Sequence, residues 1–300
     1  MAELTPGQQS FLEMADRAGV SHDLFGQYKP DIQFQEAQPD ATKSTIAYIH
    51  TGGTLAMVPS NDGGTISFEG AVNLPKIIEV CNYIAQVRRR YNIIGIHLAN
   101  IDSKEIKPDA WTAMAATIKT VYDLIDGATL GHGTHTLEYS AAASSYALRN
   151  LAVPIVFAAS QIPSVGFPGS DGIPNLTGAM EIAANGDFAE VLAYANGTIH
   201  RGSRVTKEND SRLNIFESKV TGPMGYFGAA GIEVGDGARR RMGKRKHELI
   251  FQPEFNSSIP SLKINPSIGP DLLRELLSGT EKAVGAVLET YGSAALPNDL

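Results

Sequence analysis

From residue 45 onward, short apolar segments alternate with segments of helical spacing, and this alternation restricts the possible folds more than any other feature. The apolar segments are TIAYIHTGG, IIGIHLANI, ATLGHG, VPIVFAAS and AEVLAYANGTIH. Helical patterns such as NLPKIIEVCNYIAQVRRR and KPDAWTAMAATIKTVYDLI separate them. Strands and helices that alternate in this way form βαβ units, whose parallel strands are covered on both faces. The sequence therefore predicts an α/β fold with a mostly parallel, doubly wound sheet.

Changes in composition divide the chain into four predicted segments. Residues 1–44 are polar, with one short helix near Gln8–Ala18, and are predicted to form an N-terminal extension. Residues 45–236 are predicted to form the main α/β domain. The glycine-broken basic run GDGARRRMGKRKHE predicts a solvated linker at 237–250. A strand, a helix and a second strand in 251–300 predict a smaller, truncated α/β domain, since one βαβ unit can bury little core.

Composition limits the kinds of partner and cofactor that we expect. The 300 residues carry a formal net charge of −7, so no global basic field favours nucleic acid or an anionic membrane surface. The N-terminus has no apolar core of a signal peptide, and no run reaches the roughly 18 apolar residues of a membrane span. Cys81 is the only cysteine, and the histidines lack metal-ligand spacing. We therefore expect a cytoplasmic protein without a metal site.

Two glycine-rich turns follow predicted strands, at the carboxyl edge where parallel sheets place their active sites. In the first turn, HTGGT, Thr51 precedes Gly52 and Gly53. A hydroxyl at this position could act as a nucleophile, and the backbone N–H groups of the glycines could bind an oxyanion. The alternative interpretation is a tight turn with a capping threonine.

The second turn, GHGTHT, leads directly into a predicted helix. Thr134 and Thr136 flank His135, and a helix N-terminus favours an anion such as a substrate carboxylate. The alternative role for Thr136 is N-capping of the helix. Further along, RGSRVTKEND contains Lys207, which could assist deprotonation of a threonine hydroxyl or could be an ordinary surface lysine.

Taken together, these segments resemble the bacterial-type L-asparaginase/glutaminase family, in order over much of residues 45–292. TGGTLA resembles the first threonine motif of the family, IDSKEIKPDAW its Asp-Ser segment, and GHGTHTLEYSA its H-G-T-D-T-(M/L)-E motif. RGSRVTKEND resembles the lysine motif, and GAVLETYG resembles a strand of the second domain. The resemblance implies an amidohydrolase that releases ammonia without a cofactor and that assembles as a homo-oligomer, a dimer or a tetramer.

The resemblance also implies a role for individual residues. Thr51 matches the nucleophile that forms an acyl-enzyme, Thr134 the second catalytic threonine, and Lys207 the lysine that assists it. Ser103 matches the serine that holds the α-carboxylate of the substrate. The neighbouring candidates for substrate binding are Asp102, Gly133 and His135, and the backbone around Gly52, Gly53 and Thr134 is expected to bind the oxyanion and the carboxylate.

The sequence departs from the family pattern at three places. His135 stands where the family has an aspartate that binds the α-ammonium of the substrate, and an imidazole offers one lone pair at most. The loop MVPSNDGGTISF lacks the family's tyrosine. After ETYGSAALPNDL the family continues, and Ala294 and Ala295 stand near its amine-binding asparagine.

These departures leave three hypotheses. The protein could hydrolyse a small carboxylate-bearing amide that lacks a free α-amine, with His135 altering substrate recognition. It could be a catalytically degenerate homologue that serves as a binding or structural partner. It could also be one half of a split enzyme, completed by a separate C-terminal chain. Because Thr51, Thr134 and Lys207 are all present, we expect the first.

Overall fold

The computed structural model of the protein describes residues 4–36, 38–59, 66–67, 89–164, 168–243, 248–278 and 284–298. Nearly all of the helix predicted over 73–90, Cys81, most of the loop MVPSNDGGTISF and the basic residues 244–246 lie outside these ranges. The chain divides into two compact units, Met1–Glu254 and Phe255–Leu300. None of the helices in the described part combines the length and the apolarity that crossing a bilayer requires.

The first unit is a mixture of helices and strands. Its described helices are α1 (Pro6–Arg17), α2 (Pro108–Val121), α3 (Leu137–Ala147) and α4 (Gly172–Asn185). Its first eight strands are β1 (Asp31–Gln35), β2 (Thr45–Gly52), β3 (Val58–Pro59), β4 (Ile66–Ser67), β5 (Asn92–Ile101), β6 (Gly127–Gly131), β7 (Leu148–Arg149) and β8 (Ile155–Ala158). They are followed by β9 (Val191–Ala195), β10 (Thr198–Arg201), β11 (Thr206–Lys207), β12 (Phe216–Glu217), β13 (Gly225–Gly228), β14 (Gly231–Val234) and β15 (Ile250–Phe251).

Nine of these strands form one sheet in the order β1-β5-β2-β6-β8-β9-β10-β13-β14. The central strands β5, β2, β6, β8 and β9 are parallel, and the pairings outside them are antiparallel. In β2 every residue from Ile46 to Gly52 is buried, which is typical of a strand with both faces covered. The predicted α/β fold with a large parallel sheet is confirmed.

The core lies between this sheet and its helices. Helix α4 packs against β2, β6, β8 and β9, and its Leu176 and Met180 join Tyr48, Val156 and Leu192 in one buried cluster. Burial of such side chains contributes about 1.5–3 kcal/mol each. This packing fixes the carboxyl ends of the parallel strands, where the glycine-rich turns begin.

Residues 1–44 belong to the first unit, so the predicted boundary at residue 44 does not coincide with a division of the structure. Strand β1 pairs antiparallel with β5 and forms one edge of the sheet. Phe11 of α1 and Phe25 are buried, and their rings meet edge to face at 5.3 Å. These apolar side chains attach a segment whose polar composition predicts an extension.

The segment AEVLAYANGTIH is two strands rather than the single strand predicted. Strands β9 and β10 pair antiparallel, with Ala195 opposite Thr198. The two residues between them, Asn196 and Gly197, have φ values of 47° and 80°. Asn-Gly is the sequence that a two-residue hairpin of this kind favours, because both positions need a positive φ.

The basic run packs against the first unit at Arg241. Its Nε donates to the carbonyl of Gly186 at 2.6 Å, and its Nη1 donates to that of Asp126 at 2.8 Å. Its Nη2 donates to the carbonyls of Ala183 and Ala184, at 2.7 and 3.0 Å. Arg241 therefore departs from the solvated linker predicted over 237–250, because the last carbonyls of α4 need donors that the helix cannot supply.

Replacing Arg241 with methionine is expected to lower the free energy of unfolding by about 2–4 kcal/mol, because buried carbonyls lose charged donors. Arg240→Met is the matched control. The Arg240 side chain is 47% exposed and lies 3.4 Å from Asp187, so its loss should cost less than about 1 kcal/mol. Urea denaturation of both variants measures the difference. Equal stability of the two variants would contradict this role of Arg241.

The second unit contains β16 (Ser261–Lys263), α5 (Pro270–Ser278) and β17 (Val287–Glu289). The two strands pair in parallel, with Leu262 opposite Leu288. Parallel neighbours connected through a helix form a βαβ unit. The predicted order of strand, helix and strand in this part of the chain is therefore confirmed.

Candidate active site

Three loops meet at the carboxyl edge of the sheet, after the adjacent strands β5, β2 and β6. They contain residues 102–105, 51–53 and 131–136. Because the three strands are parallel neighbours, all three loops leave the sheet at the same edge. Both glycine-rich turns singled out in the sequence are therefore neighbours in space.

The Thr51 hydroxyl is buried in this junction. Its side chain is only 1% exposed, and its Oγ1 donates a hydrogen bond to the carbonyl of Gly131 at 2.8 Å. That bond joins the end of β2 to the end of β6. A threonine hydroxyl held in one orientation is prepared for attack on a carbonyl once a base accepts its proton.

The glycines of the two turns allow a close approach of the backbones. Gly52 and Gly53 have φ values of 110° and 82°, which favour glycine. A Cβ on Gly53 would lie 2.3 Å from the backbone nitrogen of Gly133. A Cβ on Gly133 would in turn lie 2.4 Å from Oγ of Ser103. Side chains at these positions would separate the loops.

One expected oxyanion donor is already used. The N–H of Gly53 donates to the carbonyl of Ile101 at 3.1 Å. This bond ties the turn after β2 to the end of β5. The prediction that Gly53 offers its N–H to an oxyanion is therefore corrected, and its role in the structure is to allow the close approach.

Ser103 connects the loop after β5 with the loop after β6. It is 1% exposed, and its Oγ accepts a hydrogen bond from the N–H of His135 at 3.2 Å. Its carbonyl accepts one from the hydroxyl of Thr136 at 2.6 Å. Thr136 stands directly before α3, but its side chain caps no N–H of that helix, so the N-capping interpretation is wrong. Thr134, which is 4% exposed, is buried within this same loop.

The buried side chain of His132 stabilises the loop after β6 through two hydrogen bonds. His132 Nδ1 lies 2.7 Å from the carbonyl of Gly133, and its Nε2 lies 2.9 Å from the hydroxyl of Ser140. The indole N–H of Trp111 donates to the same hydroxyl at 3.1 Å. Burial lowers the pKa of His132 to about 4. The ring is therefore neutral near pH 7, with Nδ1 donating to the Gly133 carbonyl and Nε2 accepting from Ser140.

His135 lies at the open side of the junction. Its side chain is 58% exposed, and its Nδ1 lies 3.7 Å from Oδ1 of Asp102. The other carboxylate oxygen of Asp102 lies 3.4 Å from Nζ of Lys104. The carboxylate of Asp102 thus lies between the ammonium group of Lys104 and the imidazole of His135.

Lys207 lies in β11, which packs against α3. Its N–H donates to Oε2 of Glu138, in the first turn of α3, at 2.8 Å. Its Nζ lies 2.5 Å from Oδ1 of Asp210, and its side chain is 12% exposed. The hydrogen bond and the charge of Lys207 lower the pKa of Asp210, with a smaller contribution from His135.

Sequence reasoning missed Glu138 and Asp210 as partners of Lys207. Glu138 lies in the motif GHGTHTLE, and Asp210 follows Lys207 by three residues. Both signals were present, but the pairing depends on how β11 packs against α3. Ala294 and Ala295 belong to the second unit. No group of three or more histidine, cysteine, aspartate or glutamate side chains in the described part could hold a metal ion.

Comparison with known proteins matches residues 45–239 to the family model described as Asparaginase, N-terminal. The chain is 30% identical over 254 residues to the L-asparaginase of Thermococcus kodakarensis, covering 84% of this chain and 72% of that relative. The solved structure of that thermostable L-asparaginase superposes with a TM-score of 0.72, at 29% identity, over 84% of this chain and 73% of that one.

Two further relatives extend the comparison. L-asparaginase 1 of Escherichia coli strain K12 is 31% identical over 261 residues, which cover 86% of this chain and 73% of the relative. A glutamyl-tRNA(Gln) amidotransferase subunit of Pyrococcus furiosus is 31% identical over 288 residues. That match covers 91% of this chain and 62% of the length of the Pyrococcus furiosus protein.

Proposed function

Because this chain belongs to the asparaginase family, we propose that it hydrolyses a small carboxylate-bearing amide through a threonine acyl-enzyme. Its nucleophile is Thr51. The observation that carries the proposal is the buried Thr51 hydroxyl, held 2.8 Å from the Gly131 carbonyl where three loops meet. A buried, oriented hydroxyl at the carboxyl edge of a parallel sheet is in the position where such folds place their chemistry.

The reaction has two balanced steps. In the first, Oγ1 of Thr51 attacks the amide carbon, the C–N bond breaks, and ammonia leaves with the proton that Thr51 has lost. In the second, water attacks the threonine ester, releases the carboxylic acid and returns the proton to Thr51. Backbone N–H groups around Gly52 and Thr134 stabilise the oxyanion of each tetrahedral intermediate.

Thr134 and Lys207 assist the transfer of the Thr51 proton to the departing ammonia. Lys207 supplies a nearby positive charge, which favours the deprotonated form of a hydroxyl. One contact and one exposure value support this role: the Glu138 carboxylate accepts the Lys207 backbone N–H at the start of α3, and only 12% of the Lys207 side chain is exposed. Its partner Asp210 is 87% exposed, so it can turn into solvent when a substrate enters.

The substrate carries no α-ammonium group. His135 offers an imidazole where the resembling enzymes have a carboxylate for that group. Two neighbouring carboxylates do not replace it, because Asp102 is engaged by Lys104 at 3.4 Å and Asp210 by Lys207 at 2.5 Å. A cation brought into this site would compete with two lysines. Ser103, which holds a substrate carboxylate in this proposal, is retained beside them.

An ammonia-release assay tests the substrate proposal with asparagine, glutamine and succinamate, which is asparagine without its α-amine. We expect kcat/KM for succinamate to exceed that for asparagine by about tenfold or more, because an ammonium without a carboxylate partner is poorly bound. His135→Asp should shift the ratio towards asparagine by about the same factor. Lys104→Gln is the matched control for a change of one charge beside Asp102.

Faster turnover of asparagine than of succinamate by the wild type would overturn the altered specificity. Failure to hydrolyse any amide, with ligand binding identical in wild type and Thr51→Ala, would favour a non-catalytic binding partner. The family resemblance further leads us to propose a cytoplasmic protein that forms a homo-oligomer. Light scattering of the purified protein tests the oligomeric state.

A second candidate is a component of an amidotransferase. It is favoured by the match to the glutamyl-tRNA(Gln) amidotransferase of Pyrococcus furiosus, which extends over 288 residues. In this function the same Thr51 chemistry would release ammonia for use by a partner chain. Amide hydrolysis by the isolated protein at full rate would count against it, whereas activity that needs a co-purified partner would support it.

A further inference from the structure

A cavity lies at the opposite edge of the sheet from Thr51. Its volume is about 330 Å³, and it is lined by residues from the end of α3, the loop before β8, the start of β9 and the end of β10. The strands β8 and β9 begin at this edge, whereas Thr51 lies where the parallel strands end. The volume is close to the lower limit of roughly 300–1,000 Å³ for small-molecule sites. This cavity is therefore separate from the candidate active site.

Its lining is strongly basic. The lining residues include Arg149, Arg201, Arg204 and Arg239 and a single carboxylate, Glu190. Four arginines against one glutamate leave a net charge of +3, in a chain whose formal net charge is −7. Such a local excess attracts anions even where the whole protein repels them.

Glu190 cannot neutralise more than one of these arginines. Its side chain is 7% exposed, and its Oε2 and Oε1 accept from Nε and Nη2 of Arg201 at 2.5 and 3.2 Å. Its Oε1 also accepts the backbone N–H of Arg239 at 2.9 Å. Glu190 and Arg201 thus form an ion pair in which their charges cancel. The net positive charge of the cavity therefore comes from the other three arginines.

Those three guanidinium groups lack a carboxylate partner within the described part of the chain. Nη2 of Arg149 donates to Oε1 of Gln252 at 2.6 Å, and this neutral amide leaves the charge uncompensated. Arg204 and Arg239 form no side-chain salt bridge among the described residues. Guanidinium groups bind phosphate oxygens in pairs of parallel hydrogen bonds, so three of them around one cavity favour an oxyanion.

The remaining lining suits an organic group attached to that oxyanion. Ser145 and Ser203 add hydroxyl groups, and the ring of Tyr146 is 66% exposed beside them. An exposed aromatic face next to a basic cavity can pack on a planar or apolar part of a ligand. We propose that this cavity binds a small phosphorylated metabolite, with Arg149, Arg204 and Arg239 on its phosphate and Tyr146 on its organic part.

Isothermal titration calorimetry of the full chain tests this proposal, with inorganic phosphate, pyrophosphate, AMP and citrate as probes. We expect saturable binding of the phosphate probes, with AMP tighter than inorganic phosphate. Arg204→Gln combined with Arg239→Gln should weaken AMP binding by about tenfold or more, because two charged hydrogen-bond donors are lost. Tyr146→Ala should weaken AMP but leave inorganic phosphate unchanged.

Arg17→Gln is the matched control, since Arg17 is an exposed arginine of α1 far outside the cavity lining. Thermal unfolding of each variant verifies that it is folded. Citrate that binds more tightly than every phosphate probe would overturn the assignment of a phosphate. If none of the phosphate probes binds saturably, the proposed site is wrong. The same conclusion follows if Arg17→Gln weakens AMP binding as much as the double arginine variant does. A change of oligomeric state in the double arginine variant would instead identify the occupant as an acidic surface of a second copy.

Discussion

Thr51→Ala is expected to reduce kcat/KM for the preferred amide by about 10⁴-fold or more, because removing the nucleophile of a covalent mechanism leaves only binding and oxyanion stabilisation. The fold should survive, since the variant loses one buried hydrogen bond, to Gly131, which is worth about 1 kcal/mol. Ammonia release under saturating and limiting amide measures the change.

Two variants are controls for this result. Thr51→Ser retains a hydroxyl at the same position and should keep measurable activity. Thr54→Ala removes a hydroxyl three residues later, in a 3-10 turn formed by Thr54–Ala56, and should change kcat/KM by less than about tenfold. A Thr51→Ala enzyme within tenfold of wild type would exclude Thr51 as the nucleophile.

Acidification from about pH 7 to pH 5 is expected to lower the free energy of unfolding by about 5 kcal/mol, through three buried histidines. Burial lowers the pKa of His132 and His200 to about 4 each. Burial and the charge of His97 lower that of His50 to about 3, from an ordinary value of 6.5.

The sign follows from proton binding. Between the lowered pKa values and 6.5, the unfolded chain binds protons that the folded rings refuse. Stability is therefore complete above about pH 6.5 and falls as the pH decreases towards 4, by about 1.4 kcal/mol per pH unit for each ring.

Urea denaturation at a series of pH values measures this slope. His132→Asn should reduce the slope by the share of one ring, about 1.4 kcal/mol per pH unit, because the contribution of His132 is removed. His22→Asn is the control, since the His22 ring is 44% exposed and lies at the surface beside Asp16. If the pH slope of the unfolding free energy is the same in His132→Asn as in the wild type, the His132 ring does not contribute to it.

The parallel sheet and the two turns of the site could be predicted from the sequence because each rests on a local pattern. Continuous apolar runs such as TIAYI predict buried strands, and the glycines after them predict sharp turns at the carboxyl edge. Strand order, by contrast, depends on pairing between distant segments. The sequence therefore predicted parallel strands without showing that β5 and β6 flank β2.

The interactions that escaped prediction are those between distant side chains. Arg241 looks like part of a solvated basic run, yet it binds four carbonyls near the end of α4 and the start of β6. The hydroxyl of Thr136 has the sequence position of a helix cap, yet it bonds the Ser103 carbonyl. Composition cannot distinguish such roles, because they depend on which backbone groups the fold leaves without partners.

The bonds that assemble the junction around Thr51 connect segments that are far apart in the chain. Thr51 is joined to Gly131, 80 residues later, and Lys207 to Glu138, 69 residues earlier. Contacts of such long sequence separation form late in folding, after the entropy of closing long loops has been lost. During synthesis, a nascent chain that has folded only β2 and β5 therefore holds Thr51 without a site around it. In the proposed function, chemical competence would therefore require that β6 and β11 have docked, and a partly folded or unfinished chain would have no amidohydrolase activity.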